Sequence, residues 1–412
     1  MHNLLKIALR NLLRYKRRTL LTTSLIVLGV VFVLVFVSVT GSFKSMMIAQ
    51  NTDAMLGHFQ VHRKGYVASI DNLPLNMNLK GGAIGRLEKI LTGEKEIAAY
   101  SPRIKFGAMF STYVETTNIR LNGIDPEREL ATAPLLATRV LDGKKILGRG
   151  ELWIPELLAK GMKVKVGDTV VIVATNQDGS VNGKQLIVAG ILESVTGPGG
   201  RDGYLHIDDA AEILRLEEKE ISEFALRLKD FDQLAPVSER LAGLLAQELN
   251  QQDKPIFELH TWEKLSPFFN IARMIDVMTL FIKLMLIAIV LISIMNVMIM
   301  AVYERVREIG TMAAIGTLPG KILSLFMLEG FCLGVAGAAV GNLLGVAIIW
   351  ILNLSHISYD FGRQEGLILQ AGINWPELAV ISVIVIVGSV LASLQPAFKA
   401  SRLDPIKALR HV

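Results

Sequence analysis

Residues 283–321, KLMLIAIVLISIMNVMIMAVYERVREIGTMAAIGTLPGK, decide the fold of this chain. The run 284–302 is apolar over the length of a membrane span, and only Ser293 and Asn296 interrupt it with polar side chains. It ends abruptly in the charged segment 303–310, YERVREIG. The pattern predicts a transmembrane helix that delivers a short, charged helix to one membrane face, where we expect that helix to receive force from a partner.

Composition separates a membrane part from a soluble part. A mean hydropathy of +0.44 is too high for an ordinary soluble protein, whereas 20% charged residues are too many for a pure membrane bundle. Residues 42–272 hold 27 Lys and Arg against 30 Asp and Glu, and the remainder holds 16 against 8. The positive excess therefore lies at the membrane flanks, where it sets orientation, and it argues against nucleic acid as a partner.

These patterns predict an integral membrane α-helical protein with four transmembrane helices and a large α+β extracytoplasmic domain inserted between helices 1 and 2. The predicted parts are, in order, a cytoplasmic amphipathic basic helix (1–19), transmembrane helix 1 (20–41), the large domain (42–272), a stalk with transmembrane helix 2 (273–302), a cytoplasmic coupling helix and loop (303–321), transmembrane helix 3 (322–352), an outer loop (353–377), transmembrane helix 4 (378–394) and a cytoplasmic tail (395–412).

Charge asymmetry predicts the orientation of the four spans. The three segments predicted to be cytoplasmic carry 13 Lys and Arg, and the outer loop carries only Arg363. Basic residues concentrate on the cytoplasmic side, so we expect both termini there and the large domain in the periplasm or outside the cell. The alternative for the N-terminus, a signal peptide, fits poorly because the apolar run 20–39 exceeds the ~7–15 residues of a signal core.

The large domain is predicted to contain two strand-helix-strand halves, 42–125 and 223–272, around a β-rich insertion, 126–222. Alternation of apolar and polar residues at its two ends indicates the strands. The glycine-rich segment 197–200 is predicted to be a mobile surface loop, since Asp202 replaces the third glycine of a phosphate-binding G-x-G-x-x-G. His58 and His62 stand roughly 13 Å apart along one strand, too far to share a metal, and we expect them to face solvent.

Two patterns concern the membrane helices. Asp276 and Lys283 share a helical face near the start of the second span, which predicts a stalk outside the bilayer; the alternative is an intramembrane ion pair with a transport role. Glu329 is expected to face water or a neighbouring chain. Small residues recur on the third span and predict close helix packing. They are Gly330, Gly334, Gly337, Gly341 and Gly345.

No catalytic, metal-binding or cofactor-binding constellation is found in the sequence. The motifs H-E-x-x-H, G-x-S-x-G and S-x-x-K are absent. Segment 316–322, GTLPGKI, is one residue shorter than a phosphate-binding G-x-x-x-x-G-K-[ST] loop and ends in Ile322. Any ATP hydrolysis is therefore expected on a separate chain, and a membrane-anchored enzyme is the outside alternative.

Three motifs resemble FtsX-like and MacB-like ABC transporter permeases, a family that includes lipoprotein-releasing LolC/LolE-like members. They are the opening ALRNL (8–12), the ERVREIGTMAAIG that follows span two (304–316), and the closing motifs of the tail (396–400 and 404–410). The resemblance implies a permease that works as a homodimer or heterodimer with a cytoplasmic ABC ATPase, which binds ATP and Mg. It also implies that the coupling helix docks on this ATPase through Glu304, Arg305, Arg307, Glu308, Ile309 and Gly310.

The resemblance further implies that ATP-driven motion passes through the stalk to the outer domain, with the lipid bilayer and a lipoprotein or another periplasmic protein as partners. The leading function is lipoprotein release from the inner membrane. Export of a peptide, drug or toxin by the same mechanism is the first alternative, and non-transporting regulation of a cell-wall hydrolase is the second. Independently, spans whose main polar groups are Asn296 and Asn342 lack the lining of a hydrophilic conduit.

Overall fold

The computed structural model describes residues 2–194, 201–361, 364–368 and 370–409. The predicted mobile loop 197–200, Arg363 and Arg410 of the predicted tail lie outside the described residues. The chain forms two compact units. The first comprises Met1–Lys44, Arg273–Tyr359 and Ile368–Val412, and the second comprises Ser45–Ala272 and Asp360–Leu367.

The helices and strands are numbered along the chain. The α-helices are α1 (His2–Arg14), α2 (Lys16–Asn51), α3 (Gly81–Gly93), α4 (Pro126–Thr132), α5 (Glu156–Met162), α6 (Ile207–Ile213), α7 (Leu234–Ala246), α8 (Trp262–Leu265), α9 (Phe268–Glu304), α10 (Val306–Ala314), α11 (Pro319–Leu354), α12 (Trp375–Ser401) and α13 (Pro405–Leu409). The β-strands are β1 (Phe59–Arg63), β2 (Leu79–Lys80), β3 (Ile97–Ser111), β4 (Thr116–Ile124), β5 (Val140–Gly143), β6 (Glu151–Pro155), β7 (Thr169–Thr175), β8 (Val181–Leu192), β9 (Gly203–His206), β10 (Glu220–Ile221), β11 (Glu223–Leu228), β12 (Phe257–Thr261), β13 (Ser358–Phe361) and β14 (Gln364–Ile368).

Within the described residues, four helices are long and apolar enough to cross a membrane: Thr19–Leu56, α9, α11 and α12. The first comprises α2 from Thr19 onward and the π-helical turn Thr52–Leu56. Helix α9 has 37 residues, which at 1.5 Å per residue amounts to about 55 Å. That length exceeds the ~30 Å of hydrocarbon, so α9 extends beyond the bilayer, as a stalk requires.

Five glycines of α11, at positions 330, 334, 337, 341 and 345, are buried where α11 meets two other helices. A Cβ atom added at any of them would lie under 3.0 Å from a side-chain atom of the neighbouring helix. The pairs are Gly330 with Ser393 and Gly334 with Ser389 on α12, and Gly337 with Ile26, Gly341 with Val30 and Gly345 with Leu34 on α2. Helix α11 therefore packs closely between α12 and α2, and only residues without a side chain permit this approach.

Asp276 and Lys283 pair with neighbouring helices and not with each other. The Nζ atom of Lys44 on α2 lies 2.6 Å from a carboxylate oxygen of Asp276. The Nζ atom of Lys283 lies 2.6 Å from a carboxylate oxygen of Glu377 in the first turn of α12. These ion pairs connect α9 to α2 and to α12 near the start of the span.

The second unit is built on one continuous sheet with the strand order β12-β1-β11-β3-β4-β9-β6-β8-β5, and β7 pairs with β3 and β8. Strands β1 and β3 of the first predicted half alternate with β12 and β11 of the second half. The predicted insertion is not a separate sheet, because its strand β9 pairs in parallel with β4. The alternation of apolar and polar residues contained no information on the order of these strands.

Burial of His58 and His62 corrects the expectation that they face solvent. Their exposed fractions are 4% and 0%. The ring of His58 packs edge-on against Phe231, and the ring of His62 stacks on Tyr66. His58 Nδ1 accepts a hydrogen bond from the backbone N–H of Leu228 at 3.0 Å, and His62 Nε2 lies 3.2 Å from a carboxylate oxygen of Glu223. In the part of the chain that the structure describes, no cluster of side chains could hold a metal ion.

A buried charge network surrounds Glu223 on β11. Arg103 donates from Nη1 to Glu223 at 3.1 Å and from Nη2 to Glu129 on α4 at 2.6 Å. Lys105 Nζ lies 2.8 Å from the second carboxylate oxygen of Glu223. Burial alone would raise the pKa of Glu223, but Lys105, His62 and Arg103 lower this pKa far below its usual range. The network therefore holds Glu223 as a buried carboxylate at neutral pH.

Candidate coupling site

Helix α10 is separate from the long helices on either side of it. Helix α9 ends at Glu304, and Arg305 leaves helical geometry with φ −115° and ψ 18°. At the other end, Gly316 has a φ of +89°, a left-handed conformation that glycine adopts without strain. Pro319 then begins α11, where its missing N–H removes no helical hydrogen bond. The sequence thus forms a nine-residue helix between two spans.

The two faces of α10 differ in burial. Val306, Ile309 and Gly310 are buried, and α10 packs against α13 on the chain's last described segment. Ile309 joins the apolar core of the membrane unit together with Phe326 of α11. The opposite face of α10 is exposed, and so is the turn after it, where Ile315 and Leu318 are 78% and 63% exposed.

The six residues predicted to dock on an ATPase do not share one surface. Glu304 and Arg307 are exposed, and Glu308 is half-buried. Arg305, Ile309 and Gly310 are buried within the unit. The exposed members and the apolar turn are accessible to a partner, whereas the buried members hold the helix in place. Docking itself stays a prediction.

Arg305 lies at the centre of a partly buried polar cluster that we call the Arg305 clasp: Arg305, Glu308, Glu329, Asn11 and Tyr15. Arg305 is 4% exposed and donates from Nη1 to Glu329 Oε1 at 2.9 Å and from Nε to Glu308 Oε2 at 3.0 Å. Its guanidinium also lies 5.5 Å from the ring centroid of Tyr15, within cation–π range.

Glu329 corrects a second expectation, because it faces neither water nor another chain. It is completely buried in α11 and also accepts a hydrogen bond from Asn11 Nδ2 at 2.9 Å. Tyr15 donates its hydroxyl to Glu308 Oε1 at 3.1 Å. The clasp therefore connects α10 to α11, to α1 and to the residue that joins α1 with α2.

The charges of the clasp are stabilised by one another. Burial alone would lower the pKa of Arg305, but the charge of Glu329 and the hydrogen bonds to Glu329 and Glu308 raise it. Burial would raise the pKa of Glu308, but hydrogen bonds from Arg305 and Tyr15 lower it. Both groups are therefore charged at neutral pH, and removal of one partner would leave a buried charge without full compensation.

Asn11, Tyr15 and Glu329 are site residues that the sequence analysis did not assign. One signal was available for Glu329, because an acid among apolar residues in a span requires a nearby cation. The sequence did not single out Arg305 as this cation, because Arg307 and Lys321 lie closer to Glu329 along the chain. Nothing in the pattern indicated Asn11, which lies 318 residues away along the chain.

These features define a multi-span membrane permease in which a large extramembrane domain separates the first span from the other three. The family model described as "FtsX-like permease C-terminal" matches residues 280–405, and the one described as "MacB-like periplasmic core domain" matches residues 19–244. The chain belongs to this FtsX-like, MacB-like family of ABC transporter permeases. The family is that of membrane permease subunits of ABC transporters, and the resemblance and fold class predicted from the sequence are confirmed.

Relatives match along nearly the whole chain. A lipoprotein-releasing system transmembrane protein LolC from Neisseria meningitidis serogroup B is 25% identical, over 95% of this chain and 94% of the relative. An uncharacterized ABC transporter permease YknZ from Bacillus subtilis is 25% identical, over 99% and 98%. The solved extracellular domain of a YknZ transporter from Gram-positive bacteria is 16% identical, covers 49% of this chain and 99% of that domain, and has a TM-score of 0.35, too low to carry an argument.

Proposed function

We propose that this chain is the permease subunit of a mechanically coupled ABC transporter that releases lipoproteins from the inner membrane. ATP hydrolysis on a separate ATPase would drive motion of the extramembrane domain. The observation that carries the proposal is α10, a separate amphipathic helix between two spans that is fastened to α11 and α1 by the Arg305 clasp. The Neisseria relative, whose name states lipoprotein release, supports the choice of cargo.

The docking surface in this proposal consists of the exposed side of α10 and the apolar turn that follows it. Ile315 and Leu318 supply apolar contacts, and Glu304 and Arg307 supply charges around them. Apolar centres with polar rims are typical of protein interfaces. We place this surface in the cytoplasm, together with both termini, because basic residues are concentrated in the same three segments.

The Arg305 clasp would make α10 move together with α11 and α1. The chain has a break in helical geometry at Arg305, where a helix pushed from outside would otherwise pivot. Arg305, the residue at this break, forms ion pairs with Glu329 on α11 and with Glu308 on α10, and these pairs oppose pivoting of α10 against α11. Displacement at the docking surface would therefore reach the spans, and the continuous helix α9 would carry it towards the extramembrane domain.

The polar groups described below contribute to helix packing and do not line a channel, which fits transmission of motion and not conduction. Asn342 donates from Nδ2 to the hydroxyl of Ser382 at 2.7 Å, so it links α11 to α12. Ser389 and Ser393 on α12 donate to backbone carbonyls of their own helix. These groups are engaged in packing, and a hydrophilic channel would need polar groups that face water. A second permease copy, identical or homologous, completes the proposed complex.

The test is a reconstitution of the full chain with its ATPase and a labelled lipoprotein in proteoliposomes, with a soluble acceptor outside. Release of the lipoprotein that requires ATP is expected. Ile315→Asp with Leu318→Asp should abolish association with the ATPase, whereas Ile146→Asp, at a site 68% exposed in the second unit, should not. Association that survives the double change would contradict the docking surface.

The cargo is tested separately in the same vesicles. The Bacillus relative matches at the same identity as the Neisseria one, so the assay includes a fluorescent macrolide and a cationic peptide. ATP-driven movement of either compound without lipoprotein release would replace the proposed cargo with efflux. An ATPase that binds but moves none of the three would favour the regulatory alternative.

A further inference from the structure

An apolar groove lies in the membrane unit where α9 and α12 end beside each other. Its volume is about 380 Å³, within the range of roughly 300–1,000 Å³ typical of small-molecule sites. Val302 at the end of α9 and Leu403 after α12 form part of its apolar lining. Tyr303 and Phe398 lie at the groove with 67% and 47% of their surfaces exposed. Two aromatic rings and an apolar lining at the ends of two spans are typical of the membrane–water interface.

The charged residues of the groove are both cations. Lys399 and Arg402 line it and are exposed, and no acid is among its described lining residues. Within the described chain, neither cation forms an ion pair. The guanidinium of Arg402 lies 4.3 Å from the ring centroid of Phe398, so the ring holds the charge beside the apolar surface. The groove thus combines an apolar lining with two cations that lack an acidic partner.

We propose that this groove is a specific binding site for one anionic phospholipid. The phosphate would lie between Lys399 and Arg402, and an acyl chain would cover Val302 and Leu403. Basic pockets between transmembrane helices recognise anionic headgroups through this combination of contacts. A free phosphate ion would leave the apolar lining unused, and a zwitterionic lipid would bring the positive charge of its own headgroup close to the two cations.

Native mass spectrometry of the full chain from nanodiscs tests the site without the ATPase. The discs contain phosphatidylcholine and increasing fractions of phosphatidylglycerol, and retained lipids are counted. Each interfacial cation contributes about fivefold to the affinity for an anionic surface. Lys399→Gln with Arg402→Gln should therefore weaken retention of phosphatidylglycerol by roughly thirtyfold, and retention of phosphatidylcholine should not change.

The matched control removes two other exposed cations, Arg10→Gln with Lys321→Gln, which lie outside the groove. It should retain phosphatidylglycerol as the unaltered protein does. If both double variants lost phosphatidylglycerol equally, the proposed site would be refuted in favour of general surface charge. If neither variant lost phosphatidylglycerol, the proposed site would also be refuted. Displacement of the lipid by inorganic phosphate would identify a simple anion site. The variant Lys399→Arg with Arg402→Lys, which keeps both charges, should restore binding and shows that the fold is intact.

Discussion

Replacing Glu329 with Gln is expected to destabilise the membrane unit by about 3 kcal/mol. Glu329 is fully buried and accepts hydrogen bonds from Arg305 and Asn11, both at 2.9 Å. Removing one partner of a buried ion pair costs about 3–5 kcal/mol, because the other charge stays in a site of low polarity. The lower end of this range applies to Glu329→Gln, because Arg305 keeps its ion pair with Glu308. The oxygen of the introduced amide can also still accept the hydrogen bond from Asn11.

A double-mutant cycle separates the ion pair from other effects of the substitutions. The variants are Glu329→Gln, Arg305→Met and both together, and each is unfolded reversibly in mixed micelles by increasing amounts of denaturing detergent. The double variant buries no charge at this position, so it should be less destabilised than the sum of the single variants by about 2 kcal/mol. Circular dichroism follows the loss of helix.

The control for this cycle is Arg14→Gln. The guanidinium of Arg14 lies 3.6 Å from Glu308, but its side chain is 69% exposed. Exposed pairs contribute roughly 0–1 kcal/mol, so this change should have little effect. Single and double effects that add within about 0.5 kcal/mol would refute the argument, because they would show that Arg305 and Glu329 do not stabilise each other.

Three further predictions concern other parts of the chain. In the reconstituted system, Glu329→Gln should preserve ATPase binding but lower lipoprotein release per ATP several-fold; unchanged release per ATP would contradict the clasp. Gly341→Ala should lower the midpoint of thermal unfolding in detergent by an amount equivalent to about 1–3 kcal/mol, because its Cβ would lie 2.7 Å from Cβ of Val30. Gly320→Ala should be neutral or stabilising, because no atom lies within 4 Å of the position that its Cβ would take. Equal destabilisation by Gly341→Ala and Gly320→Ala would argue against close packing at Gly341. Because folding lowers the pKa of Glu223, the contribution of its carboxylate to the free energy of unfolding is complete above the unfolded pKa of about 4.3. This contribution is lost as pH falls towards the folded pKa. Tryptophan fluorescence should show a stability loss below about pH 4.3 that is weaker in Glu223→Gln, and identical pH profiles would contradict this assignment.

Local sequence patterns predicted the parts of the fold that depend on neighbouring residues. Apolar runs located the four spans, and the change to charge at residue 303 located α10. The glycine spacing on α11 indicated close packing, but a spacing cannot distinguish one partner helix from two. Gly334 contacts α12 and Gly337 contacts α2, because three residues along a helix turn the side chain to an adjacent face.

The expectations for Glu329 and His62 failed for a shared physical reason. Each residue is polar and was therefore expected at a surface, but each is buried beside a polar or charged partner from elsewhere in the chain. The partner of His62 is Glu223, 161 residues away, and Glu329 binds Asn11 across 318 residues. Such pairings depend on the tertiary fold, and a single sequence shows only that a buried polar group needs some partner.

The spacing of Arg305 and Glu329 also bears on how the chain enters the membrane. Glu329 follows Arg305 by 24 residues, so the cation has already been synthesised when the acid emerges. An unpaired charge at the centre of a span costs about 2.5–3.5 kcal/mol to insert. We expect α9 and α11 to be inserted as a hairpin in which the two charges meet during synthesis. If residue 305 is neutral, α11 should then stay outside the bilayer in a fraction of the molecules. A glycosylation-site reporter placed after α11 would detect this fraction.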